Sequence, residues 1–207
     1  MLISTSFLSS KNIPKDLVEL NETTTDYIHV DVMDGKFVKN KTMPFSEMSK
    51  IYKYTSKRLD VHLMCMDAEK YIKDYAKLNA EFITIHVESM KVKENLELIH
   101  SYSIKSGLAI NPDTPVKEII PYLPLTDLIL IMSVEPGRGG QKFIKESEDK
   151  IKEVREILKE YKMDKLISCD GGINKETRKY VSKCDMIVSG SYITNSNDFE
   201  ASIESLR

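Results

Sequence analysis

The feature that most constrains the fold is a regular alternation of short apolar segments with longer amphipathic or charged segments along the whole chain. The pattern predicts eight strands in the 207 residues, each followed by a helical stretch. Such alternation is typical of parallel strands joined by helical crossovers. Eight units favour an α/β fold that closes as a (β/α)8 TIM barrel, in one domain over residues 1–207. An open, doubly wound sheet is the main alternative.

The predicted strands cover 2–8 (with the exit loop), 27–33, 58–64, 82–87, 105–110, 128–132, 166–169 and 186–188. The predicted helices cover 14–21, 44–52, 68–78, 92–102, 115–122, 147–161, 177–182 and 199–206.

Composition excludes several classes of protein. The formal net charge is -2, so neither nucleic-acid binding nor a polybasic membrane surface is expected. We find no apolar run long enough to span a bilayer and no signal peptide. Cys65, Cys169 and Cys184 lack the spacing of a zinc cluster or disulfide frame, which favours a reducing, cytoplasmic location.

Histidines and aspartates recur at the carboxyl ends of the predicted strands, where the active site of such a barrel lies. His29 and Asp31 share one face of the second strand, His62 shares a face of the third with Met64, and Asp170 follows the seventh. A structural His–Asp pair in the core is the simpler interpretation of the second strand alone. Two imidazoles and two carboxylates together suit one divalent metal ion, zinc first, with iron, manganese or cobalt as alternatives.

Three further kinds of residue lie at this end of the predicted barrel. His86 fits a supporting position behind the metal ligands, a core histidine or, less simply, a ligand. Met33, Met64 and Met132 are either core residues or an apolar collar around the metal. Glycines follow three successive strands, at Gly137, Gly139 and Gly140, at Gly171 and Gly172, and at Gly190 before Ser191. Consecutive loops of this kind favour a phosphate site, although a single Gly-Gly pair is more often a turn.

These residues predict a phosphorylated small substrate whose reacting end lies at a metal between two carboxylates. One carboxylate would remove a proton from a carbon next to a ketone, giving an enediolate, and the other would deliver a proton to the opposite face. The metal would stabilise the enediolate.

Several blocks resemble the ribulose-phosphate 3-epimerase family, nearly end to end and in order. They are His29-Val30-Asp31-Val32-Met33-Asp34-Gly35, Asp60-Val61-His62-Leu63-Met64, Gly107-Leu108-Ala109-Ile110-Asn111-Pro112, Val134-Glu135-Pro136-Gly137, Gly139-Gly140-Gln141-Lys142-Phe143, Asp170-Gly171-Gly172-Ile173 and Val188-Ser189-Gly190-Ser191. The resemblance implies a barrel of the ribulose-phosphate-binding type and a homo-oligomer. It also implies the reversible conversion of D-ribulose 5-phosphate to D-xylulose 5-phosphate in the pentose phosphate pathway.

The resemblance also implies roles for individual residues. His29, Asp31, His62 and Asp170 would hold the metal, with Asp31 as proton acceptor and Asp170 as proton donor. Ser6, His62 and Asp170 would contact substrate. So would the loop residues Gly137, Arg138, Gly139, Gly140, Gly171, Gly172, Gly190 and Ser191.

Some positions depart from the family pattern. Arg138 stands where the family usually has an aromatic residue, Lys39 replaces a proline, and Ser9-Ser10 replaces Ala-Asp. Because a guanidinium could add a phosphate contact, allulose 6-phosphate or another ketose phosphate is an alternative substrate for the same 3-epimerase chemistry.

Three other activities fit these residues less well. A lyase on this barrel would need Asp-x-Lys-x-x-Asp on the third strand, where His62 and Cys65 stand instead of the lysine and second aspartate. A metal-dependent hydrolase would leave the second carboxylate without a role. A silent phosphosugar-binding module would not need both Asp31 and Asp170.

Overall fold

A closed barrel of eight parallel strands forms the centre of the computed structural model, which describes residues 1–207 apart from the side chain of Tyr52. The strands are β1 (Leu2–Ser6), β2 (Tyr27–Met33), β3 (Leu59–Met64), β4 (Ala80–His86), β5 (Lys105–Ile110), β6 (Leu128–Met132), β7 (Leu166–Asp170) and β8 (Met186–Ser189). β8 pairs with β1, with Leu2 opposite Met186 and Thr5 opposite Ser189. This pairing confirms the predicted (β/α)8 barrel and excludes the open sheet.

Helical segments follow the strands. The α-helices are α1 (Ile13–Asn21), α2 (Phe45–Met48), α3 (Glu69–Tyr75), α4 (Val92–Ser101), α5 (Ser147–Glu160), α6 (Ser191–Thr194) and α7 (Phe199–Glu204). Ser49–Lys53, Val116–Leu125 and Arg178–Val181 are 3₁₀ helices. The Asn12 side chain caps α1 by accepting a hydrogen bond from the Lys15 amide at 3.2 Å, and Pro14 lies in the first turn.

The helices differ from the sequence-based expectation in four places. The segment 44–52 forms the short α-helix Phe45–Met48, followed by the 3₁₀ helix Ser49–Lys53. The segment 115–122 forms the 3₁₀ helix Val116–Leu125, because Pro121 and Pro124 within it have no amide hydrogen for an α-helical ladder. The segment 177–182 narrows to the 3₁₀ helix Arg178–Val181. The single-turn helix α6 was not predicted, since four residues are too few to show a helical period.

Side chains of each strand alternate between two apolar regions. One set, such as Val30, Val61 and Ile83, belongs to the large core that includes the helices. The alternate set includes Phe82 and Met186, which belong to a separate buried apolar cluster. The members of this second cluster at or near the starts of their strands, Phe82, Leu128 and Met186, are called the barrel floor below.

Within the described residues, no helix has both the length and the apolar character that crossing a membrane requires.

Candidate active site

Four side chains that could bind a metal meet at the carboxyl ends of three strands. His29 and Asp31 are two residues apart on β2, so both face the barrel interior. Asp31 is paired with His62 across the β2–β3 ladder, and Asp170 is the last residue of β7. The four residues selected from the sequence therefore lie together in the fold.

The spacing of these four side chains fits a single metal ion. One ligand atom from each lies within 4.8 Å of all the others. Asp31 Oδ1 is 3.4 Å from both His29 Nε2 and His62 Nδ1, and Asp170 Oδ2 is 3.8 Å from the same nitrogens. Ligands about 2.0–2.1 Å from a tetrahedral metal are roughly 3.4 Å apart, which is close to the distances found.

Two buried nitrogens in this group carry a further indication of a ligand. His29 Nε2 and His62 Nδ1 make no hydrogen bond within the described part of the chain, although both side chains are buried. A buried polar atom without a partner is costly. A cation between these nitrogens and the two carboxylates would remove that cost, so the donor set fits a divalent metal.

A residue that the sequence analysis missed fixes the orientation of His29. Asp60 Oδ2 lies 2.7 Å from His29 Nδ1 and accepts a hydrogen bond from the Ser4 hydroxyl at 2.8 Å. The Asp60 carboxylate therefore holds the proton of His29 on Nδ1 and leaves Nε2 free. Its position two residues before His62 on β3 was the available signal, because both side chains then face the same side of the strand.

His86 lies behind His62 and outside the group of four ligand atoms. Its Nε2 is 2.8 Å from His62 Nε2, and its Nδ1 is 3.1 Å from Glu88 Oε2. Of the alternatives considered for His86, this geometry favours the supporting position.

The environment drives the pKa values of the two candidate catalytic carboxyl groups apart. Burial favours a higher pKa for Asp31, but His29 and His62 lower it well below the usual range. Burial and the nearby Asp31 and Asp60 carboxylates raise the pKa of Asp170 to about 7 against the opposing effect of His29. Desolvation lowers the pKa of His62 to about 4. The pair therefore offers an anionic carboxylate and a carboxyl group close to half protonation at neutral pH, as an acid–base pair requires.

Asp31 is held in place from the neighbouring strand. Its Oδ2 accepts a hydrogen bond of 2.8 Å from the Ser6 hydroxyl on β1. Its other oxygen, Oδ1, faces the two histidine nitrogens. The two oxygens of this carboxylate therefore have different surroundings.

The cavity above this group is lined by most of the residues predicted to bind substrate, together with a predicted metal ligand and two methionines of the predicted collar. They are Ser6, Asp31, Met64, Met132, Gly137, Arg138, Gly139, Gly140, Asp170, Gly171, Gly172, Gly190 and Ser191. Met33 lines an adjoining pocket with Asp31 and Arg138, while His29 and His62 lie buried beneath the cavity. Leu8, Ser9 and Gln141 also line the cavity and were not predicted to contact substrate, although Gln141 lies in one of the blocks that resemble the family.

The glycine pair after β7 has a conformational reason to be glycine. Gly172 has a φ of 63°, and a Cβ atom there would be 2.6 Å from the backbone nitrogen of Phe143. A side chain at this position would separate the loops after β6 and β7. Glycine lets the two backbones meet beside the cavity.

The loop after β6 is held against the loop after β2. Asn40 Nδ2 donates a hydrogen bond of 2.7 Å to the Gly137 carbonyl oxygen. A Cβ atom on Gly137 would be 2.9 Å from Cβ of Val38. The exposed Arg138 follows directly and lines the cavity mouth.

Comparison with known proteins places the sequence among sugar-phosphate epimerases. The model of the ribulose-phosphate 3 epimerase family matches residues 2–194. The ribulose-phosphate 3-epimerase of Synechocystis sp. is 38% identical over 214 residues, covering 100% of this chain and 93% of that protein. The enzyme of the same name from Bacillus subtilis is 37% identical over 210 residues, covering 100% and 95%.

Solved structures with low sequence identity share the fold. The 3-hexulose-6-phosphate synthase of Salmonella typhimurium superposes with a TM-score of 0.70 at 14% identity, covering 100% of this chain and 96% of that one. The phosphoribosyl anthranilate isomerase of Thermococcus kodakaraensis gives a TM-score of 0.63 at 17% identity, covering 99% and 96%. At such identities the likeness concerns the barrel alone.

Proposed function

Because the chain belongs to the ribulose-phosphate 3-epimerase family, we propose that it inverts C3 of D-ribulose 5-phosphate to give D-xylulose 5-phosphate, reversibly. Family membership confirms the isomerase class over the lyase and hydrolase alternatives. The observation that carries the proposal is the pair Asp31 and Asp170. These carboxyl groups come from separate strands, share one cavity and differ in pKa in opposite directions.

In the forward direction Asp31 is the base. Its carboxylate, held by the Ser6 hydroxyl, accepts the C3 proton of ribulose 5-phosphate, and the electron pair of the C–H bond moves into an enediolate. Asp170 is the acid, and its carboxyl group then gives a proton to the opposite face of C3. After this step Asp31 holds a proton and Asp170 lacks one, so proton exchange with solvent restores the pair and the net reaction consumes no proton. The roles of Asp31 and Asp170 exchange in the reverse direction.

We propose that His29, Asp31, His62 and Asp170 bind one divalent metal ion. When bound, that ion supplies positive charge that stabilises negative charge developing on the substrate oxygens. Two imidazole nitrogens and two carboxylate oxygens at these distances support zinc first, and the same donors accept iron, manganese or cobalt. Met33, Met64 and Met132, all buried, are proposed as the apolar collar around the ion.

The phosphate is proposed to bind in the glycine-rich loops on the other side of the cavity. Gly171, Gly172, Gly190 and Ser191 line the cavity together with Gly137–Gly140. Backbone amides at such loops donate hydrogen bonds to phosphate without obstruction by side chains. His62 and Ser6 would contact the sugar end.

Arg138 supports a second candidate substrate. Its exposed position at the mouth of the cavity would let a guanidinium pair with a phosphate carried one carbon farther out, as in allulose 6-phosphate. The same two carboxyl groups would epimerise C3 of either ketose phosphate.

Proton NMR in D₂O distinguishes the substrates. The enzyme is incubated with zinc and either ribulose 5-phosphate or allulose 6-phosphate. Deuterium at C3 with formation of xylulose 5-phosphate supports the first substrate, and exchange confined to the hexulose supports the second. A metal-loaded enzyme that exchanges neither substrate would refute the proposed function.

Three further proposals concern domain organisation, location and assembly. We propose that residues 1–207 act as one catalytic domain, that the enzyme is cytoplasmic and that it forms a homo-oligomer. Acting on a phosphorylated ketose requires no nucleic acid or membrane partner.

A further inference from the structure

His62 is connected to a second histidine that takes no part in the reaction proposed above. Its Nδ1 faces the Asp31 and Asp170 carboxylates, and its Nε2 is 2.8 Å from Nε2 of His86. Two neutral imidazoles can share a hydrogen bond only if one nitrogen carries the proton and the other presents its lone pair. The direction of this bond therefore decides which nitrogen of His62 is free.

Glu88 supplies the direction. Its Oε2 is 3.1 Å from His86 Nδ1, and its Oε1 accepts hydrogen bonds from the Asn111 amide at 2.9 Å and from the Thr114 hydroxyl. Burial favours a higher pKa for Glu88, but these donors lower the pKa to about 2. A carboxylate only accepts hydrogen bonds, so His86 carries its proton on Nδ1 and presents the lone pair of Nε2 to His62.

We propose that His86 and Glu88 are positioning residues that keep the proton of His62 on Nε2 and so leave the Nδ1 lone pair for the metal. The inference rests on the proposed metal site. His29 reaches the complementary state more directly, because Asp60 contacts its Nδ1 and frees Nε2. The two histidines thus present different nitrogens to one centre, each set by a carboxylate.

Neighbouring residues hold in place the hydrogen bonds that run from Glu88 through His86 to His62, which are called the relay below. Phe37 packs on the His86 ring, with the ring centres 4.6 Å apart. The ammonium group of Lys150 on α5 donates to the carbonyl oxygens of Asn111 and Thr114, at 2.8 and 2.5 Å. The loop that provides the donors to Glu88 is therefore fixed from outside the barrel.

Replacing Glu88 by glutamine reverses the relay while preserving its shape. The amide oxygen of Gln must face the two donors, Asn111 and Thr114, because its NH₂ group would clash with both. That NH₂ group then faces His86 Nδ1 as a donor, which moves the proton of His86 to Nε2. His62 must now accept at Nε2 and carry its own proton on Nδ1, where it blocks the metal.

The test combines zinc affinity with the tautomer of His62. Zinc dissociation constants are measured by competition with a chromophoric chelator, and long-range ¹H–¹⁵N NMR of the metal-free protein identifies the protonated nitrogen. We expect Glu88→Gln to weaken zinc binding by about 10- to 100-fold and to move the proton of His62 to Nδ1. Asp127→Asn is the matched control, because that carboxylate also contacts a histidine, His100, and a backbone amide, and it lies at the opposite end of the barrel.

The outcomes separate this inference from the proposed function. If the wild type binds zinc, and Glu88→Gln has the same zinc affinity and the same His62 tautomer as the wild type, the relay is refuted and the metal site is supported. Failure of the wild type to bind zinc would refute the metal site, and the relay with it. If Glu88→Gln does not fold, the metal-free wild type still decides, since a proton on His62 Nδ1 would overturn the inference.

Discussion

Replacing Asp170 by asparagine should separate proton exchange from epimerisation. Asparagine has the shape of aspartate and is neutral, so it resembles the protonated carboxyl group that starts the forward reaction. It can no longer deliver a proton to C3. Asp31, still held by Ser6, should continue to remove the C3 proton of ribulose 5-phosphate and to return a hydrogen to the same face.

The expected size of the effect follows from the loss of one general acid. Such a group contributes about 10²–10⁴-fold in rate, or roughly 2.7–5.4 kcal/mol of activation free energy. Weaker metal binding should contribute less to the effect of Asp170→Asn than to that of Asp31→Asn. The Asp170 oxygen is 3.8 Å from the nearest nitrogen of His29, whereas the Asp31 oxygen is 3.4 Å from it. Measuring at saturating zinc removes that contribution.

The assay is NMR in D₂O from both substrates. With Asp170→Asn, ribulose 5-phosphate should gain deuterium at C3 at least tenfold faster than xylulose 5-phosphate appears, and xylulose 5-phosphate should exchange poorly. Asp31→Asn is the mirror control and should exchange xylulose 5-phosphate preferentially. Epimerisation by Asp170→Asn within tenfold of the wild type, or preferential exchange of xylulose 5-phosphate by it, would refute the assignment of the two roles.

Three further predictions concern metal binding and stability. Zinc affinity should rise with pH around the raised pKa of Asp170, about 7, because the group is protonated below that value and must lose its proton to bind metal; calorimetry in buffers of different ionisation enthalpy should detect proton release, and none would contradict the assignment. Gly107→Ala should lower the free energy of unfolding by about 1–3 kcal/mol, since its Cβ would lie 2.0 Å from Thr84 Oγ1; denaturant titration should show partial recovery when Thr84→Ala is added. Asp127→Asn weakens the exposed contact of Asp127 with His100 and should lower the unfolding free energy by only about 0.2–1 kcal/mol. Its histidine partner helps to lower the pKa of Asp127, so the contribution is present above the pKa of the unfolded chain and is lost as pH falls through the folded value; a difference from wild type that grows in acid would contradict this account.

The barrel and its four candidate ligands could be predicted because both depend on short-range patterns. The spacing of His29 and Asp31 fixes a shared face on β2, and the position of Asp170 at a strand end follows from the glycines after it. The network behind them could not be derived in the same way. The contact of His29 with Asp60 depends on the register between β2 and β3, which pairs them directly, and register is a property of two segments.

The relay beyond His62 depends on still longer connections. Thr114 reaches Glu88 from the loop after β5, and Lys150 reaches that loop from α5. Thr114 and Lys150 each lie in a charged or polar segment, where the sequence gives no sign of these contacts. The closure of the barrel was likewise an inference from the number of units, because the pairing of β8 with β1 joins the two ends of the chain.

The barrel floor also affects the strength of electrostatic interactions in the site. Phe82, Leu128 and Met186 fill the barrel on the side away from the cavity, so apolar side chains of low polarisability lie where solvent would otherwise screen the charges. At 4 Å two unit charges attract by about 4 kcal/mol at an effective dielectric constant of 20, but by about 1 kcal/mol in water. The floor therefore keeps the local dielectric constant low beneath the site, so the contact between the Asp60 carboxylate and His29 is stronger than it would be in water.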